Sequence, residues 1–223
     1  MTYQTPDHHP AFEEYCETIF ELEEDNLKVI QARIAERLDV SRPAVSEMIK
    51  RMADEGLLKD GSNGVNLTTR GMELATRVVR RHRLAECFLT DVLGLSWTDA
   101  HHEAGKWEHV ISTPVEEAMR NILENPTTCP HGNPIPGSNY KEPKNMANLN
   151  ALPAGSDFVV ERIPEELEFT EGLLEFLEQA DIKPGNTGRV TAISPDGTTT
   201  VEIGGSHIGV GSFASERILV SVG

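Results

Sequence analysis

Four of the eight histidines fall between positions 82 and 109, and carboxylates stand among them at helical intervals. His82 and Glu86 are four residues apart. His101, Gly105, Glu108 and His109 follow an i, i+4, i+7, i+8 progression, which places them on one face of a continuous helix. Glu14 and Glu17, three residues apart in an earlier amphipathic stretch, offer two more carboxylates. Imidazoles and carboxylates converging from neighbouring helices are how helical bundles bind divalent transition metals. A lone His and Glu pair at i, i+4 is more often a surface hydrogen bond or a helix cap. Several such pairs on facing helices are what favours a metal site. Catalysis finds no comparable support. His102 and Glu103 would need a second histidine at 106 for the zinc-protease helix motif, and Lys106 stands there. No glycine-rich phosphate loop or nucleophile elbow occurs, so the chain does not read as an enzyme.

The elements that must position these groups follow from periodicity. Tyr15, Ile19 and Leu22 recur at helical spacing and predict a helix over 12–22. Ile30, Ile34, Ala35 and Leu38 predict a second, short one. Ser41 is placed to cap a third helix and Pro43 is tolerated in its first turn, where no N–H is needed. Val45, Ile49 and Met52 form the buried stripe of that helix. Ser41, Arg42, Ala44, Ser46, Glu47 and Lys50 are left for its outer face and N-terminal end. Two short helices joined by a tight turn, the second starting with small polar and basic residues, fit the major groove of DNA as a helix-turn-helix. Gly56 closes the helix, Gly61, Ser62, Asn63 and Gly64 predict a turn, and Val65, Asn66 and Leu67 alternate as a strand, so a β wing follows.

A long helix is expected from about Met72 to Leu93, with Leu74, Val78, Leu84, Phe88 and Leu89 inward, as a dimer-forming spine. Further helices are expected over 98–111 and 114–123. The 125–154 segment, rich in Pro and Asn, reads as irregular tethering structure. One short helix is expected within 165–180. Alternating segments at 189–193, 200–203, 208–210 and 218–222, separated by Pro-Asp-Gly and Gly-Gly turns, predict a small β barrel.

The 223 residues carry a formal charge of -16, which by itself disfavours nucleic acid. Distribution reverses that inference. Of the 20 Lys and Arg, 12 lie between Lys28 and Arg83 against only 7 acidic residues, so a basic island sits inside an acidic chain. Cys16, Cys87 and Cys129 are odd in number and far apart, which predicts free thiols in a reducing compartment. No apolar run of about 18 residues and no basic-then-apolar leader is present, so a cytoplasmic protein without a membrane partner is expected.

At this point the residues resemble a known family, the diphtheria toxin repressor family of iron- and manganese-dependent regulators. The matching stretches are Thr18-Ile-Phe-Glu-Leu-Glu-Glu, Ala32-Arg-Ile-Ala-Glu-Arg-Leu, Ser41-Arg-Pro-Ala-Val-Ser, Arg80-Arg-His-Arg-Leu-Ala-Glu, Trp107-Glu-His-Val and His131-Gly-Asn-Pro-Ile-Pro-Gly. They span about the first 140 residues. The C-terminal part is similar to the family's SH3-like domain more loosely, through Ala180-Asp-Ile and the 188–201 hairpin. The resemblance implies a mainly α chain with a small β part: a winged helix-turn-helix over 1–76, a helical dimerisation and metal-binding domain over 77–142, a linker over 143–152 and an SH3-like β barrel over 153–223. It implies a primary metal site at Glu14, Glu108 and His109, and an ancillary site at His82, Glu86 and His101. DNA contacts fall on Ser41, Pro43 and Glu47, with Arg33 on the preceding helix.

Three departures from the family pattern matter. Glu47 stands where a neutral amide is usual. Gly105 stands where iron sensors have cysteine and manganese sensors glutamate, so Glu17, Cys16, His102, a backbone carbonyl or water must make up the coordination. Glu14 stands where iron sensors have methionine, which favours Mn(II) or oxygen-bound Fe(II). Cys129 and His131 resemble manganese-type members and are candidates for the ancillary site, as is an acid near the start of the barrel, Glu168 or Glu171. The expected function is repression of metal-uptake genes, with Fe(II) or Mn(II) as cofactor and Co, Ni, Zn or Cd as substitutes in vitro. The expected partner is palindromic double-stranded operator DNA, bound by one or two homodimers. The competing expectation is a dimeric winged-helix factor answering another signal, with the His/Glu cluster purely structural.

Overall fold

A computed structural model describes residues 9–59 and 64–222. Helix α1 (Pro10–Glu24) leads into α2 (Gln31–Arg37) and α3 (Arg42–Asp54). Ser41 caps α3, its hydroxyl accepting from the Ala44 N–H. The tight turn between α2 and α3 is possible because Asp39 takes a left-handed conformation, φ 49°, which a short polar side chain tolerates. Gly56 terminates the α3 segment at φ 71°. Strands β1 (Leu58–Lys59) and β2 (Asn66–Leu67) pair antiparallel as the wing. Of the expected turn between them, Gly61, Ser62 and Asn63 lie outside the described residues. Ile19, Ile34, Val45, Met52, Leu57 and Val78 are fully buried in one core beneath these elements. Each such side chain contributes roughly 1.5–3 kcal/mol by leaving water.

Helix α4 (Thr69–Asp91) begins three residues earlier than the periodicity predicts and stops at Asp91, not Leu93. The cause is Thr68, whose hydroxyl caps Gly71 N–H while donating to the Gly56 carbonyl, so the helix starts on the wing itself. Position 76, the expected end of the first domain, therefore lies inside α4. Helix α5 spans Trp97–Trp107 and α6 spans Thr113–Ile122. The predicted helix over 98–111 is thus cut short at Trp107. The N–H groups of Val110 and Ile111 both turn back to the Trp107 carbonyl, and the chain redirects into α6. Glu108 becomes the C-cap and His109 leaves the helix axis.

The C-terminal part is a six-stranded antiparallel sheet, in the order β3-β8-β4-β5-β6-β7, with three short helices. Its strands are β3 (Met146–Asn148), β4 (Asp157–Arg162), β5 (Thr187–Ile193), β6 (Thr199–Ile203), β7 (Ser206–Val210) and β8 (Leu219–Ser221). Two strands were not legible in the pattern. β3 lies in the 143–152 segment expected as a linker, followed by a 3-10 turn at Leu149–Ala151. The single helix expected over 165–180 is two, α7 (Glu165–Glu168) and α8 (Leu173–Gln179), because Gly172 takes φ 74° between them. A short α9 (Ser212–Ser215) precedes β8.

Candidate metal centre

The outer part of the centre joins α1 to the end of α5. His109, free of the helix, points its Nε2 at Glu14 Oε1 at 2.9 Å and at Glu108 Oε1 at 3.2 Å. Its Nδ1 faces Glu13 Oε2 at 2.7 Å. The other oxygen of Glu108 lies 2.5 Å from His82 Nδ1 on α4. Glu17, His82 and Glu108 place ligand-type atoms within 4.8 Å of one another, as do Glu14, Glu108 and His109. A buried oxygen of Glu17, Oε1, has no hydrogen-bond partner.

Deeper in, four donor atoms from four segments form a closed ring. Glu86 Oε1 of α4 is 3.1 Å from His101 Nδ1 of α5, which is 3.1 Å from Glu168 Oε2 of α7. Glu168 Oε2 is 2.9 Å from His131 Nδ1, which returns to Glu86 Oε1 at 3.5 Å. His82 Nε2 closes on the ring at 3.3 Å from both Glu86 Oε1 and His101 Nδ1. The sulfur of Cys129 lies within 4.8 Å of Glu86 and His131 donor atoms. His131 reaches the ring because Gly132, at φ 85°, lets its loop press on β4; a Cβ there would collide with the Glu161 backbone.

Electrostatics and hydrogen bonding both fit a cation at these atoms. Both nitrogens of His131, Glu86 Oε2 and Glu168 Oε2 are buried without a hydrogen bond of acceptable geometry, although His131 Nδ1 and Glu168 Oε2 stand only 2.9 Å apart. Donors crowded head-on in this way suit a shared ion better than a shared proton. Burial alone would lower the His101 imidazole, yet the Glu168 and Glu86 carboxylates outweigh it and hold it up at about 10. His109 is likewise held at about 10, burial being outweighed by Glu13 and Glu14. Burial, reinforced by the Glu108 and Glu21 carboxylates, pushes Glu17 well above the usual range. Burial would raise Glu168, but His131 outweighs it and brings it to about 2. Proton sharing of this kind is what buried carboxylates adopt when no cation balances them.

The remaining expected residues divide cleanly. Gly105 lines a cavity of about 200 Å³ together with Glu14, Glu17, His82, His101 and Glu108. A Cβ at Gly105 would meet nothing within 4 Å, so the missing side chain leaves open space beside the donors. His102 also lines this cavity but is exposed. Cys16 does not reach the site; it is fully buried in the apolar core under α1. Of the two acids expected near the start of the barrel, Glu168 is in the ring, whereas Glu171 is exposed and, among the described residues, joins no donor group. Sequence reasoning missed Glu13, Glu21 and Glu165, which are buried around the same donors. The i, i+3 spacing of Glu165 and Glu168 is the only local sign of the last. On the helix-turn-helix of α2 and α3, the expected DNA-reading head, Ser41, Arg42, Pro43, Ala44, Glu47 and Lys50 are exposed, with Arg33 and Ser46 half-buried beside them.

Known proteins are similar to this chain along its length. A family model described as the iron dependent repressor N-terminal DNA binding domain matches residues 9–62. The iron dependent repressor metal binding and dimerisation domain matches 68–137, and the FeoA domain matches 147–222. The iron-dependent repressor IdeR of Mycobacterium tuberculosis is 42% identical over 205 residues, covering 86% of this chain and 88% of that protein. The diphtheria toxin repressor of Corynebacterium diphtheriae is 36% identical over 208 residues, covering 88% and 90%. A solved manganese-dependent transcriptional repressor in complex with manganese superposes at TM-score 0.83 with 32% identity, over 95% of this chain and 99% of that one. Similarity therefore extends through the reading head, the donor-bearing helices and the terminal sheet in the same order, and the chain belongs to the family of iron-dependent repressors that includes the diphtheria toxin repressor.

Proposed function

We propose that this chain is a DNA-binding transcriptional repressor that requires Fe(II) or Mn(II) and controls metal uptake and homeostasis. The observation that carries the reading is the convergence of Glu14 and Glu17 of α1 with His82 and Glu86 of α4, His101 of α5, and Glu108 and His109 of the turn that follows it. A primary ion is assigned to Glu14, Glu108 and His109, with Glu17 as the donor that compensates for Gly105. An ancillary ion is assigned to Glu86, His101, His131 and Glu168, with His82 and Cys129 at its margin. Nearly all these donors are oxygen or imidazole nitrogen, which suits Mn(II) and Fe(II) over softer ions. A bound divalent ion supplies the positive charge that the crowded carboxylates lack.

With both donor sets engaged, α1 is tethered to the helical unit, and the reading head on α2 and α3 is held in one orientation. Exposed Arg42 and Lys50 then serve phosphates, while Ser41, Pro43 and Glu47 face base edges. Homodimerisation places two such heads on successive major grooves of a palindromic operator, with one or two dimers per site. Val110 and Ile122, 70% and 61% exposed beside α6, offer an apolar face for the second copy. The working division keeps a reading head over 1–76 and a metal-binding and dimerising unit over 77–142, while the C-terminal domain begins at β3, ahead of the expected 153, because β3 pairs with β8. Among the described residues no helix is long and apolar enough to cross a membrane.

The test is selection from a random duplex-DNA library with Mn(II), with Fe(II) under anaerobic conditions, and with a chelator. Enrichment of a two-fold symmetric sequence only in the metal arms is expected. Equal retention in the chelator arm contradicts the reading.

A further inference from the structure

Glu168 has two faces. While Oε2 closes the donor ring, Oε1 accepts a hydrogen bond from Asn133 Nδ2 at 2.7 Å. Asn133 is fully buried, and its Oδ1 accepts from Arg162 Nε at 2.5 Å. Arg162, at the end of β4, passes its Nη2 to Asp25 Oδ1 at 2.7 Å and to Glu24 Oε2 at 3.0 Å. Glu24 is the last residue of α1 and Asp25 is its C-cap. Asp25 also accepts the Glu166 N–H at 3.2 Å, from the first turn of α7. A second buried arginine runs alongside: Arg83 of α4, fully buried, binds Glu24 at 2.7 Å and Glu165 at 2.9 Å. The C-terminal domain thus grips the far end of the same helix whose first half carries Glu14 and Glu17.

We propose that Asn133 and Arg162 are positioning residues that carry the placement of the Glu168 carboxylate to the C-terminal end of α1, so that filling the ancillary donor ring orients the reading head from behind. This deepens the metal-dependent reading above and rests on it. Three features support it. The connection is contiguous, each link being a direct side-chain hydrogen bond. Its central members, Glu168, Asn133 and Arg162, are buried, so breaking any one of them strands a charge or an amide. And its two ends are the two things the switch must join, a metal donor and the helix that leads into α2 and α3. A neutral staple between domains would not need to end on a donor of the ring.

The experiment uses the full chain and hydrogen exchange read by mass spectrometry, with Mn(II) and with a chelator, on wild type and Arg162→Gln, beside a Mn(II) titration of both. In wild type, Mn(II) is expected to slow exchange over residues 10–54 by about tenfold or more, the range of ordinary coupling between sites. In Arg162→Gln, uptake stays at the wild-type number of ions and the slowing persists in α4 and α5, but over 25–54 it falls below about threefold. A merely structural role would raise exchange equally with and without Mn(II) and leave the difference intact. An undiminished metal-induced slowing over 25–54 overturns the proposal. Should Arg162→Gln fail to melt cooperatively, Asp25→Asn asks the same question from the α1 side, where the same two outcomes decide. A wild-type chain that takes up no Mn(II) is a different failure: it removes the metal-dependent reading, and this inference with it.

Discussion

Metal binding to this chain should release protons, and their number is fixed by the groups that the folded protein holds protonated. His101 and His109 are both held at about 10, so near neutral pH each carries its proton until a cation takes the lone pair. Removing a proton about three pH units below its pKa costs about 4 kcal/mol, at 1.36 kcal/mol per unit. Glu17, pushed well above the usual range by burial and by Glu108, adds a third group in the same sense. The sign follows directly. A raised pKa keeps the competing proton in place at neutral pH, so apparent affinity must climb with pH and fall with acid. With at least one protonated imidazole displaced per ion, His109 at one and His101 at the other, each ion's association constant should rise by at least about tenfold per pH unit between about 6.5 and 8. Calorimetric Mn(II) titrations near neutral pH, in buffers of differing ionisation enthalpy, count the protons from the slope of observed heat against buffer heat. At least two protons per chain at full loading are expected. Heats that do not vary with buffer, together with an affinity flat in pH, would refute the assignment of these two histidines as ligands.

Other expectations can be checked on single variants. Gly105→Ala meets open space and removes a helical glycine, so it should stabilise the metal-free chain by roughly 0.5–1 kcal/mol in urea melts. Glu168→Gln should weaken the ancillary ion by about 10- to 100-fold in competitive chelator titrations, while Glu171→Gln should leave it unchanged. Arg42→Ala and Lys50→Ala should weaken DNA binding to all sequences alike, each lowering the slope of log affinity against log salt by about one. A sequence-selective loss would instead place that side chain on a base edge.

How far the sequence could be read depended on whether the signal was local. Val45 and Met52 announce the buried stripe of α3, and Ser41 with Pro43 marks its start, because caps and periodicity act within one or two turns. His82 and Glu86 were visible for the same reason, and the wing and the last four strands follow from turn residues between alternating runs. β4 escaped because its alternation ends inward on Arg162, a residue ordinarily expected outside. Arg83, fully buried, escaped likewise, since only Glu24 and Glu165, far away in sequence, make its burial tolerable. The end of α5 was misplaced because no proline or glycine stands at 108–111; the stop comes from the turn into α6. That error hid a functional point, as a continuous helix would have kept His109 beside His101 instead of facing α1. Glu13, Glu21 and Glu165 belong to a chain with 36 acidic residues, and little that is local separates the few that converge from the many that are solvated.

The central claim is that donors from α1, from the helical unit and from the C-terminal domain meet at shared cations. Anomalous diffraction from crystals grown with Mn(II), recorded on both sides of the manganese absorption edge, locates those ions directly. One peak should lie among Glu14, Glu108 and His109, and another within the ring of Glu86, His101, His131 and Glu168. Peaks confined to surface carboxylates, with both buried clusters empty at full Mn(II) saturation, would contradict it.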